Sequence, residues 1–150
     1  MGDMLSLPYL LSDSARLLRR AFDARVRTLG MTSRQARLLL ILHVTEGENQ
    51  GYYAELLEVE PISLTRMVDR MEEAGLIERR RDPADRRAWR LFLTDRSRCV
   101  IDQVRDSLTG LEDEMLAGLE PQQREALGQM LESIRENFSN HRPLPEVNHG

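Results

Sequence analysis

The chain has 150 residues and a formal net charge of −4, with 21 basic side chains against 25 acidic ones. That is enough for one domain with a real core and too little for several enzymatic domains, and the acidic balance counts against nucleic acid unless basic residues are gathered in one place. No apolar run reaches the roughly 18 residues needed to cross a bilayer, and the N-terminus lacks the basic segment and apolar stretch of a secretory signal, so a cytoplasmic chain with no membrane partner is expected.

From Leu5 to about Leu29, Leu11, Ala15, Leu18, Phe22 and Val26 recur at helical spacing, with Ser12 or Asp13 as a cap and Gly30 as the stop. Arginines fill the other positions, but Asp13 and Asp23 are interspersed, which reads as a solvated face. Thr32 or Ser33 opens a second helix running through Leu38, Leu39, Ile41 and Leu42 to about Val44. Its consecutive apolar residues place it at the centre of the core. His43, near its end, has no second histidine or carboxylate at ligand spacing and reads as structural rather than catalytic.

Residues 46–50 form a polar turn, Gln50 to Leu57 a short helix, and Glu58-Val59-Glu60 the next turn. Tyr53 occupies a core-facing position, where its hydroxyl must find a partner. The alternative is that Tyr52 or Tyr53 reaches a phosphate or a ligand.

Pro61 suits the first turn of a helix that Gly75 ends. Leu64, Met67, Val68, Met71 and Ala74 form its apolar stripe. Ser63, Thr65, Arg66, Asp69 and Arg70 then face outward, which suits either an ordinary solvated face or a helix presenting hydroxyls and an arginine to the major groove. Leu76 and Ile77 begin a strand whose partner is Ala88 to Thr94, with Trp89, Leu91 and Leu93 on one face and Arg90 and Phe92 on the other. The turn between them is 79–87. From Arg79 to Arg90 six arginines stand against two aspartates, giving a basic tip of the kind that enters a narrow A·T-rich minor groove. The acidic excess lies elsewhere: Glu46, Glu48, Glu55, Glu58 and Glu60 precede the helix, and acids outnumber arginines from Asp106 onward. Global charge therefore does not argue against DNA.

A long helix is expected from Asp95 or Arg96 to about Leu119, with Ile101, Val104, Leu108, Leu111 and Met115 as a seam, and a last helix from Pro121 with Leu127, Met130 or Leu131, Ile134 and Phe138. A second subunit would cover these stripes, and the alternative is an intramolecular helical bundle. Cys99, the sole cysteine, excludes a disulfide framework and reads as a buried or half-buried small residue rather than a redox centre. The proline-bearing polar tail 140–150 is expected to be mobile, and its His141 and His149 are a weak metal signal.

The run LTRMVDRMEEAGLIERRRDPADRRAWRLFLT resembles the winged helix-turn-helix of the MarR/SlyA family of transcriptional regulators: Gly75-Leu76-Ile77-Glu78-Arg79 match its "GL(V/I)xR", Asp85-Arg86-Arg87 its wing, and Leu93-Thr94 its closing strand. The resemblance implies a mainly α fold with a small β-hairpin. It would be a single domain over 1–150, with a winged helix-turn-helix at about 32–94 and dimerisation helices at about 5–29 and 95–139. It also implies that Arg87 enters the minor groove, that Asp85 orients the wing, and that Arg66, Ser63 and Thr65 read base edges. Arg70, Arg86 and Arg90 are then phosphate contacts.

The partners implied are double-stranded DNA and a second copy of the chain, on a pseudo-palindromic operator, as a repressor released by a small aromatic or phenolic effector. Met31, His43 and Tyr53 lie where such a pocket is implied, and each fits plain core as well. Two positions depart from the family pattern, Tyr53 in place of a leucine and Ala36 in place of a tryptophan, and no cysteine precedes Cys99 as in the peroxide-sensing branch. An enzyme is disfavoured, with no nucleophile elbow, glycine-rich phosphate loop or metal-ligand spacing, and no cofactor or metal is expected. The remaining rival is a winged-helix protein-interaction module without DNA binding, against which the arginine tip argues.

Overall fold

The computed structural model describes residues 6–139. In chain order the elements are α1 (Leu7–Arg27), α2 (Ser33–Val44), α3 (Gln50–Leu57), α4 (Pro61–Glu73), β1 (Ile77–Arg81), β2 (Trp89–Leu93), α5 (Asp95–Met115) and α6 (Pro121–Phe138). The fold is mainly α with one antiparallel hairpin, as expected. Leu5 and the tail 140–150, with His141 and His149, lie outside the described residues.

Local chemistry sets most boundaries. Thr32 and Gln35 form a reciprocal capping box at the start of α2, and the Asn49 side chain accepts the Tyr52 N–H at the start of α3. Helix α3 stops at Glu58, whose φ of 54° is the only positive value at a non-glycine among the described residues. Pro61 then opens α4, and Gly75, at φ 75°, closes it. Thr94 caps α5, accepting from Ser97 N–H, and its own hydroxyl donates to the Gly75 carbonyl at 2.5 Å, fastening the end of α4 to the start of α5.

Several expectations are corrected. Helix α1 is not capped at Ser12 or Asp13. It starts after Ser6 with Pro8 in its first turn, and Asp13 lies inside, paired with Arg16 at 2.7 Å. Strand β1 carries Arg79 to Arg81 into the ladder, pairing them with Leu91, Arg90 and Trp89, so the loop is 82–88 rather than 79–87. The strands begin at Ile77 and Trp89, each a residue later than expected. Ala74 is exposed, at the cap of α4 rather than in its stripe. Helix α5 ends at Met115, where Leu116 to Gly118 turn the chain with Gly118 at φ 85°.

The core gathers on α2. Leu38, Leu39 and Leu42 are fully buried there with Ala36, among Phe22 and Val26 of α1, Leu57 of α3, Leu64, Val68 and Met71 of α4, Ile77 and Leu91 of the hairpin, and Ile101 and Val104 of α5. The first half of the α5 seam thus has a partner within the chain, contrary to expectation, while Met115 at its far end is 47 % exposed. Helix α6 buries no residue, which removes the intramolecular bundle. Cys99 is exposed. The position expected of it belongs to Ser97, fully buried and bonded to Thr94.

Tyr53 resolves as core. It is fully buried, its hydroxyl donating to the Thr45 carbonyl at 2.8 Å and accepting the Glu48 N–H at 3.1 Å. It therefore ties α3 to the turn before it, a task no leucine can do. Burial pushes its phenol up to about 12, against a smaller opposing effect of the Glu48 hydrogen bond. Tyr53→Phe leaves both backbone groups without their partner, so it should cost about 1–2 kcal/mol in denaturant unfolding. The sign with pH is fixed: a phenol whose folded value lies above the unfolded one of about 10 contributes fully below pH 10 and loses that contribution as pH rises toward 12. The wild type should lose more stability than Tyr53→Phe across that window, and parallel curves for the two proteins would refute the assignment.

Candidate nucleic-acid interface

Helix α4 turns Leu64, Val68 and Met71 inward, which leaves Ser63, Thr65, Arg66, Asp69 and Arg70 exposed on the opposite side. Thr65 is already engaged, its hydroxyl donating to the Pro61 carbonyl at 3.0 Å and accepting from Gln50 Nε2 at 3.4 Å. No hydrogen bond or ion pair of the Arg66 or Arg70 guanidinium is found among the described residues.

The hairpin sorts its six arginines into two kinds. Arg79 points inward from β1 with its side chain 13 % exposed. It reaches Asp69 at 2.6 Å, Glu72 at 3.5 Å, Gln50 Oε1 at 3.0 Å and the Thr65 carbonyl at 3.1 Å, so one guanidinium locks β1 to α3 and α4. Arg80 lies over the Phe92 ring and pairs with Glu78. Arg81 lies over the Trp89 ring, 4.8 Å from its centroid, and donates to the Arg86 carbonyl at 3.0 Å. Arg90 meets Asp82 with two nitrogens, at 3.2 and 3.3 Å. The Ala84 N–H, and after it Arg90, hold the Asp82 carboxyl below the usual carboxylate range.

Arg86 and Arg87 alone of the six are exposed with neither an ion pair, a ring contact nor a guanidinium hydrogen bond among the described residues. An arginine already facing a carboxylate must exchange one partner for another to meet a phosphate, so its net gain is small beside that of an uncommitted one. The expected tip of six arginines is thus a tip of two, on a stem braced by the other four. Asp85, expected to orient the wing, accepts the Arg87 N–H at 3.0 Å. Arg90, expected at a phosphate, is held by Asp82.

Sequence reasoning missed Arg79, Gln50 and Asp82 as the groups that set this geometry. The period-2 alternation from Ile77 was the available signal for Arg79, since it places that residue on the inner face.

Between the N-termini of α3 and α4 and the wing loop lies a cleft of about 270 Å³, lined by Asn49, Gln50, Pro61, Thr65, Arg87 and Trp89 among others. The loop arginine and the start of α4 therefore share one concave face. Met31, His43 and Tyr53 do not line it: Met31 and Tyr53 are buried, and His43 is exposed. Among the described residues no group of three histidine, cysteine or acidic side chains is placed to hold a metal, and no helix is long and apolar enough to cross a membrane.

Residues 31–89 match the MarR family model. Among solved structures, the chain is similar to the transcriptional repressor CouR bound to a 23-mer DNA duplex, with 30% identity over 87% of this chain and 92% of that one at a TM-score of 0.76. It is similar to a MarR-family transcriptional regulator from Silicibacter pomeroyi, with 28% identity over 91% and 92% of the two chains and a TM-score of 0.76. A cysteine-to-serine mutant of MarR from E. coli complexed with operator DNA shares the fold at 22% identity, 89% and 99% coverage and a TM-score of 0.75.

Proposed function

We propose, for a chain that belongs to the MarR family of transcriptional regulators, that it binds double-stranded DNA as a homodimer and represses by occupying a pseudo-palindromic operator. The observation that carries this reading is the set of four exposed, uncommitted arginines, Arg66 and Arg70 on α4 and Arg86 and Arg87 at the wing, on elements joined by one cleft. Arg66, with Ser63 and the engaged Thr65, reads base edges in the major groove. Arg87, with its backbone held by Asp85, enters the flanking minor groove. Arg70 and Arg86 bind phosphates, and Arg90 does so only by leaving Asp82.

The winged helix-turn-helix occupies about 32–94, and α1, the far end of α5, and α6 form the dimer. Its support is the exposed apolar side chains that a single chain leaves there, among them Leu7, Leu10, Met115, Met130 and Phe138. Release by a small aromatic or phenolic anion completes the reading. Such an effector acts only by binding two spacings of the recognition helices with different affinity. Met31 and Tyr53 would have to be uncovered to meet it, which leaves His43 as the accessible member of the three.

Fluorescence anisotropy across a salt series tests the reading, on a duplex enriched from a random pool by the protein itself and on an unselected duplex. Tight, selective, salt-dependent binding at two chains per site is expected, with Arg70→Ala weakening both duplexes and flattening the salt slope by about one counterion. Equal and weak binding to both would instead favour a winged module for protein partners.

A further inference from the structure

The wing carries a device that the assignment of Arg87 does not explain. Both polar groups of the peptide joining Arg86 to Arg87 are taken: its carbonyl accepts from the Arg81 guanidinium at 3.0 Å, and its N–H donates to the Asp85 carboxylate at 3.0 Å. A peptide plane held from both sides fixes the direction in which the Arg87 side chain leaves the backbone. Arg81 is in turn held, since its guanidinium lies 4.8 Å from the centroid of Trp89, its partner in the last rung of the ladder before the loop. Trp89 is the only tryptophan in the chain and is 37 % exposed. A residue of that size at a half-wet hairpin end is costly to expose and contributes no core, so its position calls for another account.

We infer that Trp89 and Arg81 are positioning residues for DNA recognition: the indole face seats the Arg81 guanidinium, which holds the Arg86–Arg87 peptide and so aims Arg87. The stack also keeps Arg81 directed at the loop instead of at a phosphate, so its task is orientation and not charge. Other parts of the loop are fixed independently. Asp82 N–H donates to the Ala88 carbonyl at 3.1 Å, and Ala84 N–H to Asp82 at 2.8 Å, so removing the stack frees one peptide without unfolding the turn. This inference rests on the reading of Arg87 as a DNA contact.

A double-mutant cycle separates the two, by anisotropy on the enriched duplex and on the same duplex with its A·T flanks changed to G·C. Trp89→Ala and Arg81→Met should each weaken binding to the A·T-flanked duplex about three- to tenfold, the scale of one cation–π or charge-assisted contact, with little change on the G·C-flanked one. Trp89→Phe, which keeps an aromatic face, should restore most of the affinity. In the Arg87→Ala background neither variant should weaken binding further, because a mis-aimed side chain that is absent cannot be lost twice.

Full additivity of Trp89→Ala with Arg87→Ala would overturn the inference and make Trp89 a direct DNA contact, with the reading of Arg87 intact. A null effect of Arg87→Ala alone would remove that reading and the inference with it. If Trp89→Ala lowers the melting temperature, Arg81→Met, which leaves the indole in place and keeps an apolar stem over it, decides the matter alone.

Discussion

Ile134→Glu is expected to convert the protein to a monomer and to cut operator affinity about a hundredfold or more, the scale on which joining two binding modules exceeds either one. In the single chain Ile134 is 39 % exposed, as is Leu131, while Met130 and Phe138 stand at 56 % and 83 %. A carboxylate on such a surface costs the isolated chain little, typically within about half a kcal/mol. In an interface it would be buried without a partner, and an unpaired buried charge costs several kcal/mol. The two costs differ enough to make the variant a selective probe. Light scattering after gel filtration gives the mass, and anisotropy on the enriched duplex gives the affinity. A dimer of unchanged affinity would mean that the subunits meet through some face other than α6.

Arg66→Ala is the second large expectation. A bidentate arginine–guanine contact discriminates by about 1–3 kcal/mol, so roughly ten- to a hundredfold of selectivity should vanish at one base step in each half-site. Because the Arg66 guanidinium has no protein partner among the described residues, its removal leaves no buried acid behind, and the melting temperature should hold. Binding to the enriched duplex and to single-step variants of it measures the effect. Unchanged discrimination at every step would exclude Arg66 as a base reader. A uniform loss across all steps would reassign it to a phosphate.

Much of the fold is legible because the chain marks its own boundaries. Asn49, Pro61 and Gly75 each act on their immediate neighbours, and α3 falls on the expected residues because its cap and its stop are both local. The failures have a different physics. Arg79 to Arg81 look like a loop because three identical charged residues mask the alternation that starts at Ile77, yet the backbone pairs them. That alternation puts Arg79 on the inner face, but only the fold reveals that it meets Asp69 and that Arg81 meets an indole. Charge is likewise visible in sequence, whereas the commitment of the hairpin's charge depends on residues up to 29 positions away, as with Gln50 and Arg79.

Cys99 is a different case, since the information was present. Ile101 and Val104 set the phase of α5, and the residue one turn before Ile101 is Ser97, so Cys99 falls on the outer side. Tyr53 was ambiguous for a simple reason: a buried phenol needs partners, and the Thr45 carbonyl and Glu48 N–H belong to a turn whose path no periodicity describes.

The bond from Thr94 to the Gly75 carbonyl gears one helix to another. Helix α5, with 21 residues, is a shaft of about 31 Å at 1.5 Å per residue, and this bond clamps its near end to the glycine that closes the helix proposed to enter the groove. Over that arm each degree of tilt sweeps roughly 0.5 Å, so a rotation of about 10° at the far end displaces the head by about 5 Å, close to one helical turn's rise. Small angular adjustments at the distal end thereby become steps on the scale of a base pair or more, with no need for the head itself to bend.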